Sequence, residues 1–105
     1  MVCIKFWRFS NNIYVGEGVT LKNAFWDLLD YFPDFFEKIA SFEYDEVNNA
    51  VEQGYLIQED EGCYDFSEED EEGNAAYYSY TDDGVKELLF RAKDNNNYNY
   101  EIIEI

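Results

Sequence analysis

With 105 residues the chain has the length of one domain, 1–105, large enough to bury roughly two thirds of its unfolded surface around its own core. Its charge is lopsided: 24 Asp and Glu against 7 Lys and Arg, with no His, for a formal −17. That balance excludes electrostatic attraction to phosphate backbones or anionic lipid, and the lack of His removes the side chain most used as a general base or neutral metal ligand.

Val2, Ile4 and Phe6 alternate with Cys3, Lys5 and Trp7, a period of two that predicts a strand covered at least partly on both faces. Asn11-Asn12 predicts a turn, and Ile13-Tyr14-Val15 a short returning strand that Gly16 and Gly18 break. Thr20 can cap a helix over residues 21–31, in which Leu21, Phe25, Leu28 or Leu29, and Phe32 recur at helical spacing. Pro33 ends it, and Asp34 opens a second helix with Phe35, Phe36 and Ile39 inward. Ser41 predicts the cap of a third helix over 42–53, with Val47, Ala50 and Val51 as its apolar stripe and Gly54 as its stop.

Tyr55-Leu56-Ile57 reads as a strand entering the acidic loop Glu59-Asp60-Glu61-Gly62. Residues 63–66 make a second strand piece, 67–73 a second acidic loop, and 75–80 a strand. Thr81 caps a helix from Asp82 to about Lys93, with two acids in its first turn and Arg91 and Lys93 in its last, as the helix dipole prefers. A loop over 94–97 and a strand over 98–105 end the chain. The sum is a single α+β domain, an antiparallel sheet with three to four helices. The 9 Phe, 10 Tyr and 2 Trp exceed what so small a core needs, so some rings, chiefly Tyr, are expected on the surface. No start resembles a signal peptide and no apolar run nears the roughly 20 residues of a membrane helix, which predicts a cytoplasmic protein with no membrane contact.

Two stretches in 46–89, Glu-Val-Asn-Asn-Ala-Val-Glu-Gln-Gly-Tyr-Leu-Ile-Gln and Tyr-Ser-Tyr-Thr-Asp-Asp-Gly-Val-Lys-Glu-Leu-Leu, resemble a winged-helix module. In that family a helix ends in Gly, two strands form the wing and Thr-x-x-Gly opens the next helix. The resemblance implies a topology without implying DNA binding. A helix that reads a groove needs Lys, Arg, Asn or Gln toward phosphates and bases, and here it offers Glu43, Asp45, Glu46 and Glu52.

The acids are segregated. Between Lys38 and Lys86 lie 15 Asp or Glu and no Lys or Arg, where ordinary acidic domains intersperse the two signs. The candidate partner-binding residues are therefore Glu43, Asp45, Glu46, Glu52, Glu59, Asp60, Glu61, Asp65, Glu68, Glu69, Asp70, Glu71 and Glu72, with Tyr77 and Tyr78. Tyr77 and Tyr78 point to opposite faces of a strand, so one ring stays outside whichever face is buried. Carboxylates three or four apart on a helix sit about 5–6 Å apart, and those two apart on a strand roughly 6.6 Å. Such a band approximates the phosphate charge density of DNA, one per 3.4 Å along each strand. Crowding is expected to raise carboxylate pKa values.

In charge and aromatic content the chain resembles the DNA-mimic inhibitors carried by phages and mobile elements. That resemblance implies an acidic protein that occupies the basic nucleic-acid cleft of a host defence protein, a CRISPR effector or a restriction enzyme. The alternative is an immunity protein or antitoxin that neutralises a basic nuclease toxin. Either way the partner is a protein and not nucleic acid, and the chain is a monomer or homodimer. Cys3 and Cys63 show no metal-like spacing, neither acidic loop fits a calcium-binding loop, and no phosphate-cradling glycine pattern occurs, so no cofactor, metal or enzymatic activity is expected.

Overall fold

The N-terminal alternation folds as a strand, β1 (Val2–Trp7), flanked on both sides by antiparallel partners, β2 (Ile13–Gly18) and β6 (Asn99–Glu104). The computed structural model describes residues 1–8, 13–32 and 40–105. The expected turn at Asn11-Asn12 and the expected helix with Asp34, Phe35, Phe36 and Ile39 lie outside them. Among the described residues there are six strands and three α-helices, an α+β fold with two three-stranded antiparallel sheets, one ordered β2-β1-β6 and the other β3 (Leu56–Glu59), β5 (Ala75–Tyr80), β4 (Phe66–Glu69). The chain packs as two units, residues 1–41 with 85–105, and residues 42–84.

In the first unit, helix α1 (Leu21–Leu29) buries Leu21, Ala24, Phe25, Leu28 and Leu29. Thr20 caps it as its position predicts, Oγ1 accepting the Asn23 N–H at 3.1 Å. Strand β2 does not break at its glycines. Gly16 and Gly18 stand opposite Ile4 and Val2 in the ladder, because their missing side chains are where α1 lies. A Cβ on Gly16 would overlap the Ala24 carbonyl and stand 2.8 Å from the Leu28 nitrogen, and one on Gly18 would stand 2.6 Å from the Ala24 nitrogen. The glycines end no strand; they bring helix and sheet backbones together.

Phe6 is fully buried, stacked on Tyr98 at 4.6 Å between centroids and edge-on to Phe32 at 5.5 Å. Helix α3 (Asp82–Asn96) adds Val85, Leu88, Leu89 and Ala92 to the buried residues of this unit. It continues through 94–96, where a loop was expected. Its stop is Asn97, at φ 61, a left-handed conformation that Asn tolerates better than most residues.

In the second unit, the expected helix over 42–53 is shorter and in two pieces, a 3-10 turn η1 (Tyr44–Glu46) and α2 (Val47–Glu52). Ser41 is not its cap. Glu43 and Glu46 form a reciprocal capping box, the Glu43 N–H donating to Glu46 Oε1 at 2.6 Å. Gly54, at φ 84, ends the helix as predicted. Three strands follow, β3 (Leu56–Glu59), β4 (Phe66–Glu69) and β5 (Ala75–Tyr80). Glu68 and Glu69 thus lie on a strand and not in a loop, paired across to Ala76 and Ala75. One sheet face carries Leu56, Phe66, Tyr78 and Tyr80 into a core with Phe42, Val47 and Ala50. Phe42 stacks on Tyr55 and Tyr80, and Phe66 on Tyr78.

The Thr81-Asp82-Asp83-Gly84 motif acquires a physical meaning here. Thr81 Oγ1 accepts the Gly84 N–H at 3.0 Å and its backbone N–H donates to the Tyr55 carbonyl at 3.1 Å. That same Tyr55 carbonyl fills the space a Gly84 Cβ would need.

Candidate functional site

The division of charge coincides with the division of the fold. All 15 acids between Lys38 and Lys86 belong to the unit of residues 42–84, which contains no Lys or Arg and so carries −15. The other unit holds the 7 bases and the remaining 9 acids, a net −2. Within residues 42–84, no carboxylate has a cation of its own unit to offset it.

These acids do different things. Asp65 is half-buried at the entry to β4, and its Oδ2 accepts the buried Tyr80 N–H at 2.9 Å, tying the strand piece to β5. Asp70 organises the turn between β4 and β5. It accepts the backbone N–H groups of Asn74 at 2.8 Å and Glu72 at 3.0 Å, and the Asn74 side-chain amide at 3.3 Å. The Asn74 backbone donor above all holds the Asp70 carboxyl below its ordinary value, against a smaller opposing effect of desolvation. Crowding was expected to push carboxylates up; at Asp70, amid the densest acidic run, hydrogen bonding to the charged form prevails. Glu43 and Glu46 serve the capping box. Glu52, Asp60, Glu61, Glu69, Glu71 and Glu72 are exposed.

Two regions distant in sequence converge around Tyr44, which is 58 % exposed. On one side is a cleft of about 310 Å³ lined by Tyr44, Asp45 and Asn48 from η1 and α2, and by Glu68, Asp70 and Asn74 from the β4–β5 hairpin. On the other side Tyr44 borders a shallow depression with Glu69, Asp70, Glu71 and Glu72. An exposed ring between carboxylates suits a cation, which gains from both the ring face and the charge. Sequence reasoning missed Tyr44, Asn48 and Asn74. A tyrosine inside an acidic stretch carried the signal, but only the fold brings residue 44 to residues 68–74.

Tyr77 and Tyr78 divide as the strand period requires. Tyr78, expected to contact a partner, is 8 % exposed and packs its ring on Phe66, so its role is in the core. Tyr77 faces the other way, half-buried, its ring 4.6 Å from that of Tyr64. Across the ladder it stands between Glu59 and Ser67. Desolvation, and then the charges of Glu61, Tyr64 and Glu69, raise the Tyr77 hydroxyl pKa above its ordinary value. Burial raises that of Tyr80 further, with Asp65 and Glu68 adding to it.

Among the described residues no three His, Cys, Asp or Glu side chains are grouped to hold a metal ion, and no helix is long and apolar enough to cross a membrane. No family model, curated protein or solved structure matches this chain.

Proposed function

We propose that this protein is an acidic nucleic-acid mimic that inhibits a nucleic-acid-binding defence protein by occupying its basic cleft. The observation that carries the reading is the unit of residues 42–84, fifteen carboxylates with no Lys or Arg among them. Concentrating fifteen carboxylates in a stretch that holds no base of its own leaves their mutual repulsion without relief from within that unit, a standing cost to stability. Surface solubility needs far less: a net charge of about 2–8 in magnitude suffices for a small domain. A cleft built to grip phosphates with Lys and Arg meets its complement in such a surface. Electrostatic steering then speeds association, and counterion release favours the complex.

The test is competition. Restriction endonucleases, RNA-guided nucleases and a basic nuclease toxin are each assayed for nucleic-acid binding and cleavage at increasing concentrations of the full chain. The proposal expects inhibition of at least one that is competitive with nucleic acid and weakens steeply as salt rises. Appreciable binding of the protein to DNA itself at low salt would refute mimicry, as would inhibition indifferent to salt and to competing nucleic acid. Inhibition confined to the toxin would transfer the reading to an immunity protein.

A further inference from the structure

The sheet β3-β5-β4 buries one face, and much of the other is open. Reading the ladder across, the outward residues are Ile57 and Glu59 on β3, Ala75 and Tyr77 on β5, and Ser67 and Glu69 on β4, with the Tyr64 ring laid against Tyr77. Ile57 is 53 % and Tyr64 46 % exposed, whereas Ser79 opposite Ile57 is buried, so the accessible patch centres on Tyr77. A solvated sheet face ordinarily carries polar residues; this one places an aliphatic side chain and two rings among carboxylates.

The geometry points to this face as the docking site for an arginine-bearing protein surface, a deepening that rests on the mimic reading. The choice of occupant follows from charge and shape together. The unit offers −15 and no cation, which excludes an acidic partner and disfavours a second copy of this chain. A lysine ammonium can also sit over a ring, but as a compact, strongly hydrated point charge it has no flat face to stack and no fork to pair a carboxylate at the same time. The planar guanidinium of arginine stacks flat on a ring face while its fork of N–H groups is free to pair with a carboxylate of the same sheet face, Glu59 opposite Tyr77 or Glu69 on β4. Paired rings flanked by carboxylates thus prefer Arg to Lys, a discrimination that charge by itself does not supply. Tyr and Arg are, with Trp, the residues enriched where binding energy concentrates in interfaces.

The experiment needs no identified partner. Nona-arginine and nona-lysine peptides are titrated into the full chain, with ring resonances of the tyrosines followed by NMR and affinities by calorimetry. Arginine is expected to bind about tenfold tighter than lysine, the size of effect one such contact produces. The largest shifts should fall on Tyr64 and Tyr77. Tyr64→Ala, at an exposed position, should remove most of that preference, and Tyr77→Phe should keep it because the ring remains. Equal affinity for the two peptides, shifts centred elsewhere in the unit, or an unchanged preference in Tyr64→Ala would overturn the inference. Concentration-dependent self-association through Ile57 and Tyr77 would overturn it in favour of a homodimer face. The mimic reading fails separately. If the full chain blocks a nuclease while the tyrosine variants block it equally well, only the docking site is wrong. If the arginine preference holds but no nucleic-acid-binding protein is inhibited, only the mimic reading is wrong.

Discussion

Replacing Asp65 by Ala separates acids that hold the fold from acids that face outward. The side chain lost is the acceptor for the Tyr80 N–H, at 2.9 Å in a partly buried setting. A hydrogen bond to a charged group contributes about 1.5–3 kcal/mol, and partial access of water to the half-buried site lowers that to about 1–2 kcal/mol. Removing one charge from a unit of −15 returns a few tenths of a kcal/mol through reduced repulsion, on the scale of exposed charge pairs. The net loss for Asp65→Ala is therefore about 1–1.5 kcal/mol, which lowers Tm by roughly 4–12 °C in a domain of this size. Asp65→Asn keeps an acceptor and should recover most of it. Glu71→Ala, at an exposed position, should leave Tm unchanged or slightly raised. Thermal unfolding by circular dichroism of the four proteins in one buffer decides the matter. An Asp65→Ala protein as stable as the parent would show that charge relief outweighs the Tyr80 hydrogen bond, and the division of the acids into two kinds would fall.

Gly16→Ala places a Cβ against the Ala24 carbonyl and 2.8 Å from the Leu28 nitrogen, backbone atoms that cannot rotate away, so it should cost about 2–3 kcal/mol in denaturant unfolding. Gly62→Ala, with nothing within 4 Å, is the matched change and should be near neutral. Burial holds the Tyr80 hydroxyl pKa above its unfolded value, so the native state keeps its proton where the unfolded chain loses it. The stability this contributes is fully present below about pH 10 and falls above it by about 1.4 kcal/mol per pH unit for that one group. A Tyr80→Phe protein, followed by Tm across that range, should show a shallower alkaline loss. Neutralising Glu68, Glu69, Glu71 and Glu72 to Gln, and leaving Asp70 to hold its turn, should weaken nuclease inhibition at least tenfold. Neutralising Asp30, Glu101 and Glu104 in the other unit should change it less than threefold, and equal effects would count against an interface within residues 42–84.

What the chain's order alone determined is what depends on near neighbours. The period of two in 2–7, the caps at Thr20 and Thr81 and the stop at Gly54 each involve groups within a few residues, so composition and spacing suffice to predict them. The run of fifteen acids without a base is likewise a property of the string, and the α+β antiparallel class follows from the alternation of strand and helix periods. Tertiary structure decided the rest. Gly16 and Gly18 read as strand breakers until α1 is laid against them, because their purpose is a contact with residues 24 and 28 and not a local turn. Tyr77 and Tyr78 were known to part, but which ring is buried depends on where Phe66 and Phe42 fall. Asp65 and Asp70 look like any other acids in the run. Only the partners that folding brings to them, Tyr80 fifteen residues away and Asn74 across a turn, convert them from surface charge into structure. Charge adds along a chain regardless of its path, whereas a hydrogen bond or a close approach needs two particular places to meet.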